Sequence, residues 1–403
     1  MLADQRLILS LNGSLAGSGA QVAGEISGFT NPKLDLVVTS PDVDFSRLLQ
    51  VANLPASVRQ LQPRGRGPAR AVVTGSAAAP VVDASARIPS VAARGYTAKD
   101  VAVSAVYGRG ALGFRSLEFN MLGGRVSAVG TLALTATPNV SIRGRAERVN
   151  LAALPLPPDL QAAGIASVDF SIRGTLSNLA ISANGDVTRG RVSGVPVQRL
   201  SASISYANGN LTVNNLRATG GPGGSIVVAG SVSSKSIGLS ASAQGVNITS
   251  LARLLGMEGV GGIGYFKGRI TGTPEIPIVS GVAEIFQGRY KGYDIDYARL
   301  SFTGEKRAIR VTEGIVRLFP AEVRFSGSVR GIGTRRVPFN LTGEVDRLTV
   351  GKLSALIGRE LDMTGTVSGS VQASGIYAAD TLPGLNPFRD TKASADLTLE
   401  DGT

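Results

Sequence analysis

The chain has 403 residues, 43% hydrophobic and 17% charged, a balance that excludes wholesale disorder and gives length for two to four domains. It holds no histidine and no cysteine, which removes the commonest general base, the commonest zinc ligand, disulfides and thiolate chemistry. Its formal charge of +12 admits contact with nucleic acid, anionic lipid or lipopolysaccharide-like polyanions, or simply a soluble basic surface.

The opening Met1–Arg6 has no long apolar core behind a basic start, so it does not read as a signal peptide. No stretch of about 18 apolar residues follows anywhere, so no helix is expected to span a bilayer. A strand is predicted at 20–26 (AQVAGEI) and a short helical patch at 42–49 (DVDFSRLL), where Asp44 can cap a helix starting near Phe45. Arg64, Arg66 and Arg70 form the densest basic cluster, in a Pro/Gly-rich stretch that reads as a loop. No aromatic residues interleave with them as a base-stacking platform would require. Nucleic acid is therefore not an expected partner.

From Gly75 onward the sequence repeats itself. Gly75, Gly174 and Gly272 open similar segments 99 and 98 residues apart, by subtraction of their numbers. The strand at 20–26 recurs as GRVSAVGTL (124–132), GSIVVAGSV (224–232) and AEVRFSGSV (321–329). The helical patch recurs at 148–156, 245–256 and 346–358. The three features keep one order, which sets repeats at 37–142, 143–239 and 240–340. Residues 1–36 read as the end of a preceding repeat, and 341–403 as a partial repeat with a Pro/Gly-rich insertion at 376–390. Both ends fall inside a unit, so a section of something longer is expected.

Alternation of period two dominates each repeat, the mark of a half-buried strand. Val126, Ala128 and Leu132 fall on one face, as do Ile226, Val228 and Val232, then Val323, Phe325 and Val329. These nine are the candidate site residues, and the face they share stays apolar from repeat to repeat. Asn208-Gly209 suits a two-residue type I′ hairpin, and YGRGALGF and FTGEKRAI occupy the same place in neighbouring units. About 30 strands are expected, in an all-β fold whose long antiparallel sheet twists and curls into a groove. Its apolar face must be covered by folding the sheet on itself, by the short helices, or by a ligand such as an acyl chain.

Motifs for chemistry are weak. Gly108–Gly113 matches G-x-G-x-x-G, but a strand follows it where a dinucleotide site needs a helix. The carboxylate pairs Asp42/Asp44 and Asp294/Asp296 are the remaining acid–base option. Each has a simpler reading, as a helix cap or as alternating positions on a polar strand face. No catalytic residue, cofactor, metal or small-molecule substrate is expected, and the chain does not read as an enzyme.

The repeat unit, most clearly LSASAQGVNITSLARLLG through GTPEIPIVSGVAEIFQGRYKGYDIDYARLSFTGEKRAIRVTEGIVRLFPAEVRFSGSVRGI within 238–332, resembles the TamB family of translocation-and-assembly-module proteins in the AsmA-like group. The resemblance covers most of the chain and rests on degenerate repeats rather than an active-site signature. It implies a taco-like β-groove in the periplasm, anchored to the inner membrane through a segment not present in this chain. It implies phospholipid acyl chains as ligand, moved between inner and outer membrane, and an outer-membrane barrel protein as partner of the full-length protein. The alternative it leaves open is a non-enzymatic assembly module that pairs its strand edges with outer-membrane clients.

Overall fold

Alternating apolar and polar residues over ten or more positions make a strand the conformation that puts all the apolar groups on one side. The computed structural model follows that pattern almost throughout. It describes residues 6–15, 17–28, 30–51, 62–93, 95–154, 162–192, 195–220, 224–249, 252, 259–290, 293–332, 334–352, 363–378 and 388–401. The chain divides into two units, Met1–Gly190 with Ser201–Gly209, and Arg191–Leu200 with Asn210–Thr403.

The first unit holds β1 (Arg6–Leu15), β2 (Ser18–Ser27), β3 (Lys33–Asp44), β4 (Arg66–Ser76), β5 (Ala79–Ala93), β6 (Tyr96–Gly108), β7 (Ala111–Met121), β8 (Gly124–Ala133), β9 (Asn139–Asn150) and β10 (Ala162–Thr175). Next in sequence, β11 (Asn178–Val192) and β12 (Val195–Ala207) each give residues to both units. The second unit holds β13 (Asn210–Gly220), β14 (Ser225–Val232), β15 (Ile237–Asn247), β16 (Val260–Gly272), β17 (Pro277–Tyr290), β18 (Tyr293–Glu305), β19 (Ala308–Leu318), β20 (Ala321–Val329), β21 (Arg336–Thr349), β22 (Thr366–Ala378) and β23 (Phe388–Glu400). Within each unit every strand pairs antiparallel with its neighbour in sequence, from β1 to β10 and from β13 to β23. The all-β class and the long antiparallel sheet are as expected.

The strand number is not. Twenty-three strands are present among the described residues, where about 30 were expected. The reason is length: β5 and β11 run 15 residues, longer than the spacing of turn signals suggested. The repeated strand motif is β2, β8, β14 and β20. Helical turns follow β3, β9, β15 and β21, six strands apart: α1 (Phe45–Val51), a 3-10 turn at Leu151–Ala153, Ile248–Thr249, and residues 350–352. Residues 155–156, 250–251, 253–256 and 353–358 of the expected helical patches, and residues 379–387 of the expected insertion, lie outside the described residues. The insertion's two ends belong to β22 and β23.

Expected turns form. Asn208 and Gly209 have φ of +51° and +76°, as a type I′ hairpin requires. Asp44 caps α1: its Oδ1 accepts from the backbone N–H of Ser46 at 3.0 Å and of Arg47 at 3.2 Å, and from the Ser46 hydroxyl at 2.6 Å. The Ser46 hydroxyl first, then the Arg47 amide, holds the Asp44 carboxyl below its ordinary 3.8. A lowered folded value means that the cap is fully made above pH 3.8 and is lost only as pH falls through that lower value. Protection of the Ser46 and Arg47 amides, their exchange relative to the intrinsic rate at each pH, should therefore hold down to pH 3.8 and fall only below it; a loss of protection between pH 6 and 5 would contradict the cap.

The stretch around Arg64, Arg66 and Arg70 corrects the loop expectation. Arg66 and Arg70 lie on β4, and Arg64 forms an isolated bridge to Ala92. Pro68 and the flanking glycines suggested a loop, yet β3 and β4 change register between Ser40 and Val43, beside Pro68. A bulge is where a strand tolerates a proline that cannot donate to the ladder.

Two buried clusters sit toward the rim that carries the helical turns. In the first unit Ala86, Ile88 and Val101 are buried together, with Phe45 of α1, Leu117 and Phe119 packed against them. In the second, Ala321, Leu348, Val350 and Val367 form the equivalent cluster, with Leu318 and Val345 beside them. Short helices thus cover one end of the strands rather than the length of the sheet.

Candidate functional site

Residues directly opposite on paired strands share a face, so the register identifies which side chains line up. In the first unit one row runs Leu11, Val22, Val38, Ala71, Ala84, Ala105, Phe114, Gly130, Ile142 and Ile172, across β1 to β10. In the second a row runs Leu216, Val228, Ala241, Gly268, Gly281, Phe302, Val311, Gly327, Leu341, Ala373 and Ala393, across β13 to β23. Neither row contains a polar side chain. Ser40, opposite Ala69 on the same face as the first row, is buried, and its hydroxyl donates to the Gly19 carbonyl at 2.6 Å.

All nine candidate residues lie on this face. Val126 and Ala128 are buried, 5% and 8% exposed. Leu132, Ile226, Val228, Val232, Val323, Phe325 and Val329 are half-buried. On β8 and β20 burial fades away from the helical turns: Ala321 is buried, whereas Val323 to Val329 keep part of their surface exposed. An apolar side chain left partly exposed retains a share of the ~1.5–3 kcal/mol that complete burial supplies. Such a face can take up a flexible hydrocarbon with no directional chemistry.

The carboxylate pairs have structural partners. Asp42 accepts from Arg66 at 2.8 Å, and Asp44 caps α1. Asp294 accepts from Arg289 at 3.1 Å, and Asp296 from the Phe319 N–H at 2.8 Å. Among the described residues no three Asp or Glu side chains gather as a metal site. The G-x-G-x-x-G stretch is the hairpin between β6 and β7, with Arg109 and Gly110 at φ +51° and +73°. A strand follows it, as the sequence suggested.

The opposite face is polar. Its arginines pair with acids: Arg115 with Asp83 at 2.6 Å, Arg145 with Asp169 at 3.2 Å and Arg317 with Glu322 at 2.7 Å across strands, and Arg324 with Glu322 at 2.8 Å along β20. Those two arginines hold the Glu322 carboxyl below its ordinary range. The arginines are more than half exposed, so solvent screens each pair. One aromatic group on this face escaped the sequence reading. Phe286 stands between Tyr265 and Tyr297, with ring centroids 5.5 and 5.0 Å apart, and Arg317 lies 5.5 Å from the Tyr297 ring. Burial, then the hydrogen bond to Glu284 at 2.8 Å, raises the Tyr297 phenol above its ordinary value.

On the same face of the first unit, Asn12, Gln21, Thr39, Arg70, Ser85, Ser104 and Ser116 form one cross-strand row from β1 to β7. They line a cleft of about 1060 Å³. Sequence reasoning missed it, since the row exists only once the register is known.

Comparison with known proteins finds no family model, no curated protein and no solved structure that matches the chain.

Proposed function

We propose that the apolar face is a track for phospholipid acyl chains, and that the chain is a section of a periplasmic envelope protein of the TamB type that carries lipid between inner and outer membrane. The observation that carries this reading is the unbroken apolar row across consecutive strands of each unit. A protein core needs an apolar patch, but not one that continues strand after strand while its side chains stay half-exposed. Hydrocarbon has no polar group to satisfy, so only an uninterrupted row lets it move without meeting an unpaired donor or acceptor. The headgroup stays in water at the open side.

The test is lipid carried through purification. The chain, expressed in a bacterial periplasm and isolated without detergent, should yield phospholipid on organic extraction and mass spectrometry. Photo-crosslinkers at Val228, Val323 and Phe325 should yield lipid adducts. Lipid-free protein in repeated preparations, with these crosslinkers capturing extended client strands instead, would replace the reading with strand-pairing assembly.

A further inference from the structure

The cleft on the polar face of the first unit has the chemistry of a binding site of its own. It spans seven strands, about 29 Å at the usual strand spacing. Its floor presents one short hydroxyl or amide side chain per strand, interrupted by Arg70. Arg87, diagonal to Arg70 across the β4–β5 pair, lines the same cleft; such neighbours sit about 7–8 Å apart. Among the described residues no carboxylate lines it.

The acids around the cleft are already engaged. Asp42 is held by Arg66, Asp83 by Arg115 and Glu118 by Arg125. Among the described residues no carboxylate pairs with Arg70 or Arg87, and both guanidiniums line the cleft. A concave site with two cations and no counter-charge concentrates positive potential and selects an anion.

We propose that this cleft binds a strand of acidic polysaccharide lying across β1 to β7. The cleft is far longer than a single phosphate or sulfate. Among its lining residues there is no aromatic ring for stacked bases and no large aliphatic group except Val103 for an acyl chain. A client peptide strand would add to a sheet edge, whereas this is a face. A polysaccharide carries hydroxyls that both donate and accept, at a repeat close to the strand spacing, and that matches a ladder of Asn, Gln, Ser and Thr. Its carboxylate or phosphate substituents meet the two guanidiniums, which favour planar oxyanions. The site lies on the face opposite the lipid track, so it stands or falls separately from it.

The experiment measures binding of the full chain to polygalacturonate by calorimetry, with dextran, polyglutamate and inorganic phosphate as the other arms. Polygalacturonate should bind and weaken with added salt, and dextran should not bind. The double variant R70Q/R87Q should lose affinity by about tenfold or more, the loss expected for charge-assisted hydrogen bonds. Ser85→Glu, at an exposed position between the two arginines, should do the same by repulsion. R109Q/R173Q, which removes two exposed arginines outside the cleft, should leave binding unchanged. Equal loss in that control pair, equal binding of polyglutamate, binding of phosphate alone, or no binding of polygalacturonate would each overturn the proposal.

Discussion

Gly230→Ala should destabilise the second unit by about 1–3 kcal/mol, while Gly113→Ala should leave the first unit unchanged or slightly more stable. Gly230 has a φ of +134°, and a Cβ there would run into the backbone oxygen of Gly238 on the paired strand, with the Leu239 Cα 2.8 Å away. Backbone cannot rotate aside as a long side chain can. The strands would have to separate or the residue would have to leave its conformation. The position recurs. Gly24 against the Asp35 carbonyl, Gly130 against Ser141, Gly327 against Asn340 and Gly369 against Asp396 show the same approach at φ of +145°, +159°, +155° and +150°. Gly113, by contrast, would place its Cβ an ordinary 3.8 Å from the Val106 oxygen. Hydrogen exchange over β13 to β16 should accelerate in Gly230→Ala and stay unchanged in β1 to β10; equal behaviour of the two variants would contradict the account.

A single charge should break the lipid track without breaking the fold. Val228 sits between Leu216 and Ala241 in the central row of the second unit, half-buried with apolar neighbours on both sides. Val228→Asp would put a carboxylate where an acyl chain must pass, and desolvating it unpaired costs several kcal/mol. Lipid retained by the chain should fall by about tenfold or more. The unbound fold should suffer less, because water reaches the position. Ser231→Asp on the same strand points to the exposed polar face and serves as the control. Retained lipid should not change there. Equal losses in the two variants would mean that net charge, not an uninterrupted apolar row, governs retention.

Much of the fold was legible because repetition amplifies weak signals. The period-two pattern at 124–132 would be an ordinary strand prediction alone. Its echoes at 224–232 and 321–329 make β8, β14 and β20 one structural part. Asn208-Gly209 was readable for a local reason, since few residue pairs tolerate two positive φ values. Arg66, Pro68 and Arg70 were misread because proline and glycine are compatible with both a loop and a bulged strand. Pairing partners in β3 and β5 decide between the two, and those lie outside any local window.

The candidate site divides the same way. That Val228, Val323 and Phe325 share an apolar face follows from alternation. That Val126 and Ala128 are buried while Val323 to Val329 are not depends on tertiary packing that no local window contains. Gly130, Gly230 and Gly327 read as members of the apolar face, but the reason they are glycine is close backbone approach from the next strand. The polar cleft was invisible, because Gln21, Thr39, Arg70 and Ser85 lie on different strands and meet only through register.

The central claim is that hydrocarbon lies along the apolar face through successive strands. A phospholipid carrying a diazirine in its acyl chain, bound to the chain and irradiated, tests it most directly when the labelled peptides are sequenced. Adducts should fall on apolar-row positions of many consecutive strands, among them Val228, Phe302, Leu341 and Phe114, and spare the polar positions between them. Adducts confined to the polar face, or gathered at a single strand, would contradict it.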